Sequence, residues 1–244
     1  MVERQLAAEA REQAGAHESS ATLKPNTDLE NLATGVELTL ASVLQGAALS
    51  LLIPKTVELL ASGTYAKLPY IPASLLLIFI VWVAFISHAL SFITWPFDPL
   101  HNFLYFLVAG SEAVLAALLD RPSQWFLALI GFALIMGFNL WYNQQLLLRQ
   151  LGRYHGPAGQ ALYGHTMREQ RTNLAFMAGY LAVGLLGFVS LSLRPTLGLP
   201  QEAGWVATGF GALLLPLAHV LWQARTVPVR ARLIERARAE HVTT

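Results

Sequence analysis

The chain has 244 residues, of which 55% are hydrophobic and 13% charged, with a mean hydropathy of +0.47. A soluble domain averages about 25% charged residues, so this composition lacks the polar surface of a soluble monomer and predicts an all-α integral membrane protein. A net charge of +1 gives no general affinity for nucleic acid, and the absence of cysteine excludes disulfides, thiolate chemistry and cysteine-based metal sites.

Residues 1–28 are polar and mixed in charge, without the apolar core of a signal peptide, and read as a cytoplasmic tail. A membrane-spanning helix needs about 20 apolar residues. Six runs meet that length, at roughly 32–54, 71–95, 99–119, 124–148, 173–193 and 203–223, so residues 29–224 are expected to form a six-helix transmembrane bundle. Residues 149–171 form the longest connection, basic and glycine-containing, and 225–244 read as a basic C-terminal tail, weakly amphipathic if helical. With both termini inside, twelve of the sixteen basic residues fall on inner segments (Arg4, Arg11, Lys24, Arg149, Arg153, Arg168, Arg171, Arg225, Arg230, Arg232, Arg236 and Arg238). Lys55, Lys67, Arg121 and Arg194 fall outside. This bias predicts cytoplasmic termini in a bacterial cytoplasmic membrane. It also predicts anionic lipid headgroups as partners of the basic tail and of the 149–171 loop.

Polar residues inside the runs carry what functional signal there is, because an ionisable group at mid-membrane costs about 2.5–3.5 kcal/mol on insertion scales. Glu37 and Gln45 lie on the first run, about 80° apart around a helix and so on one broad side. His88 is in the inner half of the second run, Glu112 in the outer half of the third, and His219 in the last, three residues past Pro216. Asn139 and Asn143 share a face of the fourth run, suited to hydrogen bonding between helices. Ala175/Gly179 and Ala207/Gly211 repeat small residues at four-residue spacing, a pattern that brings backbones close. Pro96 and Pro99 bound a tight inner turn, in which Asp98 and His101 are expected at headgroup level within reach of water. With His88 they are the weak metal candidates, but no HExxH motif or i, i+4 histidine pair encodes a metal site. The P-loop, GxSxG, the dinucleotide-binding GxGxxG context and TVGYG are also missing, so no cofactor is expected.

The order of Leu29-Glu30, then Trp82, Phe85 and His88 on the second run, then Asp98 and Asn102, resembles the six-helix potassium channels of bacteria and lysosomes that lack TVGYG. The resemblance covers about residues 29–145. It implies that the first span lines a pore, that Leu40 and Leu44 stand at an aliphatic constriction, and that Trp82 and Asn102 hold that span's inner end. The family's Phe-Ser-Asp motif is replaced here by Ala33-Thr34-Gly35. The resulting expectation is a cation channel or ion-permeable pore, built as a homo-oligomer or with a membrane-protein partner. Its ion pathway would use Glu37, Leu40, Leu44, Gln45 and Glu112, while Trp82, His88, Asn102, Asn139, Asn143 and His219 serve polar pairing. A non-catalytic membrane subunit is the alternative, and a membrane-embedded metal-dependent enzyme a second one.

Overall fold

In the computed structural model, residues 25–91, 99–149, 151–154, 156–198 and 200–243 are described; for 25–34, 37, 38, 41, 88–91, 153, 197, 238 and 241–243 this covers the backbone only. Among the described residues six α-helices follow in order: α1 (Pro25–Ala61), α2 (Tyr70–Ser91), α3 (Pro99–Ala117), α4 (Pro122–Arg149), α5 (Gly156–Leu193) and α6 (Gln201–Thr243). Each contains a stretch long and apolar enough to cross a membrane. The chain divides into two compact units, residues 1–37 and 38–244. The first contributes the opening turns of α1; the second forms the bundle.

Proline sets several of the boundaries. α1, α3 and α4 each begin on proline, whose missing N–H costs nothing in a first helical turn and whose fixed φ suits it. Pro54 in α1 and Pro216 and Pro228 in α6 lie inside helices instead, where each removes one ladder hydrogen bond.

Two hydrophobic clusters hold the bundle. The larger runs through the membrane-length part and includes Ala48, Leu77, Val108, Phe126, Phe132, Tyr180 and Ala212. Its knot lies at the end opposite the C-terminus. There Tyr70 packs edge-on against Trp125 and Phe126, at 5.2 and 5.8 Å between centroids. Tyr70 Oη lies 2.7 Å from Thr208 Oγ1 and 3.2 Å from the Trp205 carbonyl, and Trp125 Nε1 donates to Ser74 Oγ at 3.0 Å. A buried hydroxyl with good partners contributes about 1 kcal/mol net. Tyr70→Phe should therefore lower the melting temperature modestly; an unchanged melting temperature would mean that this bond adds nothing to the knot.

The second cluster joins Leu147, Tyr154, Ala158, Leu162, Met167 and Ala237, with Leu233 and Ile234 against them. It changes the reading of one segment. The 149–171 connection is mostly helix, because α5 starts at Gly156. The 225–244 stretch is helical, as its pattern allows, and continues α6 without a break through Thr243. At 1.5 Å per residue α5 and α6 are about 57 and 65 Å long, well beyond the roughly 30 Å of hydrocarbon. Their extensions pair with one another. Glu240 accepts from the Ala158 N–H at 3.1 Å, a carboxylate on the positive end of α5's dipole. Apolar Leu162, Leu233 and Ile234 give both extensions a face to bury, and that burial is why neither stays an isolated loop or tail.

Of the small residues the four-residue spacing picks out, Gly179 alone meets a neighbouring helix, where an added Cβ would come within 3.1 Å of Leu215. Ala175, Ala207 and Gly211 are exposed, and a Cβ on Gly211 would meet nothing within 4 Å. A closer approach is made by Gly184 and Gly187 of α5 against α4, where added Cβ atoms would overlap Ile130 and the Phe126 ring.

Candidate functional site

Two buried polar centres lie in the bundle. The first joins α1 to α3. Glu112 is 1% exposed and Gln45 8%. Gln45 Nε2 donates to Glu112 Oε2 at 2.9 Å, while Glu112 Oε1 and Gln45 Oε1 have no hydrogen-bond partner. Of the expected pathway residues, these two are brought together. Leu40 and Leu44 are half-buried on α1; the side chain of Glu37 lies outside those described. Trp82 is 38% exposed and lines, with Ser42, Gln45 and Gly46, an apolar groove between α1 and α2. Asn102 is half-buried.

The second centre lies nearer the C-terminal end, where α2–α6 all contribute to one polar cavity of about 20 Å³. Ala84, Tyr105, Asn139, Gln170 and Gln223 represent the five helices on its wall. Counted along α2, α4 and α5 from the opposite end, it lies about 20–35 Å deep. Asn139 and Asn143 turn the same face of α4 into it, as their spacing requires, and are 0% and 2% exposed. Their expected role was hydrogen bonding between helices, yet neither Oδ1 has a hydrogen-bond partner.

Beside the cavity Glu169 makes a buried ion pair, with Arg230 Nη1 2.9 Å from its Oε2 and His165 Nε2 3.3 Å from its Oε1. Sequence reasoning missed Glu169, Gln170 and Asn173 because all three fall at or beside the 149–171 stretch read as loop. The i, i+4 spacing of His165 and Glu169 was the available signal, since it puts both on one face once that stretch is helical. His219, 1% exposed, stacks on Phe176 with 4.0 Å between centroids. Its Nε2 lies 3.0 Å from Asn173 Oδ1 and its Nδ1 3.2 Å from Tyr180 Oη. An imidazole protonated on Nε2 donates to the amide oxygen and accepts from the tyrosine, so both nitrogens are satisfied across α5 and α6.

His101, in the first turn of α3, differs from expectation. His101 is 2% exposed and packs edge-on against Tyr105 at 4.7 Å, so it is buried rather than in reach of water. Asp98 and the side chain of His88 lie outside the described residues. Among the described residues no three His, Asp or Glu side chains gather as a metal site.

No protein-family model, curated protein or solved structure matches this chain. The two centres therefore have to be read from their own chemistry. Glu112 supplies a carboxylate with a neutral partner and, among the described residues, no salt-bridge partner. The cavity is walled by buried amides whose oxygens lack a hydrogen-bond partner, with Glu169 and Arg230 beside them.

Proposed function

We propose that the protein moves cations across a bilayer, as a channel or ion-permeable pore built from more than one copy, with both termini in the bacterial cytoplasm. Glu112 carries the reading. A carboxylate 1% exposed in the middle of an apolar helix, with one amide donor and one oxygen without a partner, is costly unless a proton or cation neutralises it in use. Ser42, Gly46 and Ser50 lie on an exposed face of α1; small and hydroxyl-bearing residues of this kind favour helix contact over lipid contact and support a second copy beside it. The arginines left exposed on the helix extensions, Arg168, Arg171, Arg225, Arg232 and Arg236, suit anionic headgroups.

Reconstitution into liposomes with a cation-flux assay tests the proposal. Glu112→Gln keeps the shape and an oxygen to accept from Gln45, so the fold should hold while flux falls by about tenfold or more. No flux above empty liposomes, or a variant equal to wild type, would overturn the reading. The same α1 face also fits a non-catalytic subunit of a larger complex. That reading predicts a stable hetero-complex in mild detergent and no flux from the purified chain.

A further inference from the structure

We propose that the cavity bounded by Asn139, Asn143, Gln170 and Gln223 is a binding site for one dehydrated monovalent cation, held by side-chain amide oxygens. Asn139 and Asn143 come from α4, Gln170 from α5 and Gln223 from α6, and all four line the same space. They are 0%, 2%, 7% and 5% exposed, and the amide oxygen of each has no hydrogen-bond partner. The direction of Gln223 is fixed by its neighbour. Its Nε2 donates to the Ile80 carbonyl at 3.3 Å, and a carbonyl can only accept, so the amide oxygen is the end left over.

Counting donors decides between water and a cation. The four amide oxygens, with the two Glu169 oxygens on the same wall that also lack a hydrogen-bond partner, call for more donated hydrogens than the two that one water supplies. A cavity of about 20 Å³ holds about one water, since each needs some 10–15 Å³ of such volume. One cation can take all four oxygens at once, as carbonyl-lined ion sites do. Charge selects the valence. Glu169 and Arg230 both border the cavity, and the guanidinium lies 2.9 Å from Glu169 Oε2, so the pair adds no net charge and leaves no uncompensated carboxylate of the kind divalent ions are usually given. Four neutral oxygens suit sodium, potassium or ammonium, and ammonium could donate its own four hydrogens.

The inference does not rest on ion translocation, because binding is measurable in protein that conducts nothing. Thermal unfolding of the purified protein in detergent, followed by tryptophan fluorescence, is compared at equal ionic strength in sodium, potassium, ammonium and N-methylglucamine chlorides. At least one small cation should raise the melting temperature by about 5 °C over N-methylglucamine, which is too large to enter, and the rise should saturate. Gln223→Met should abolish the rise. Asn143→Asp, equal in shape but charged, should lower the half-saturating concentration about tenfold, through added charge in a low-dielectric site. Identical melting in all four salts would overturn the proposal and leave only water there. So would a cation-specific rise that Gln223→Met leaves intact, which would place the ion elsewhere. Should Gln223→Met not fold, an unchanged half-saturation in Asn143→Asp overturns it equally.

Discussion

Replacing Arg230 with methionine is expected to destabilise the protein by about 3–5 kcal/mol, the range for breaking a buried ion pair from one side. Arg230 and Glu169 are 12% and 5% exposed at their side chains, with 2.9 Å between Nη1 and Oε2. Without the guanidinium, the Glu169 carboxylate stays buried with only His165, at 3.3 Å, to answer it. The loss comes mainly from that stranded charge, not from the contact itself. Glu169→Gln/Arg230→Met removes both charges and should recover most of the loss, because methionine fills similar space without a desolvation cost. Denaturation in detergent, analysed as a double-mutant cycle, measures this. A double variant as unstable as Arg230→Met alone would mean that the two residues act separately. A wide effect is also expected, since the pair ties α5 to α6 between the membrane-length core and the second hydrophobic cluster.

The other large effect is expected at Gly187. Any Cβ there would overlap the Phe126 ring, and that ring cannot give way. It is 1% exposed and packed edge-on against Trp125 at 5.2 Å and Tyr70 at 5.8 Å. Gly187→Ala should cost about 1–3 kcal/mol through overpacking, and Gly187→Leu more. Gly211→Ala is the control. It adds the same methyl in a helix with open space around it, and should gain up to about 0.5–1 kcal/mol from helix preference alone. Melting temperatures of the two alanine variants should move in opposite directions. If both fall alike, the α4–α5 contact at Phe126 is looser than its geometry states.

The sequence alone determined the number and approximate positions of the membrane-length apolar helices, because the length of an apolar run and its bounding prolines are local properties. It also flagged Gln45, Glu112, Asn139, Asn143 and His219, since a polar side chain in such a run stands out wherever it points. It could not say which way each helix turns. In a soluble protein an amphipathic stripe marks the buried face, but a membrane helix is apolar towards both lipid and neighbour. Leu186 is exposed beside buried Gly187, so the more apolar of two neighbours is the one facing outward. That is why spacing singled out Ala207 and Gly211, which face outward, and passed over Gly184 and Gly187, which set the α4–α5 distance.

Only the tertiary structure decided which polar groups meet. Glu169 and Arg230 are 61 positions apart, each in a stretch whose basic residues read as surface, and they pair because α5 and α6 run on together past the membrane-length core. Asn139, Asn143, Gln170 and Gln223 sit on three different helices, and nothing along the chain encodes that they line one cavity. The rotation and packing of helices set that convergence, and those follow from how glycines, rings and methyl groups interlock across the bundle.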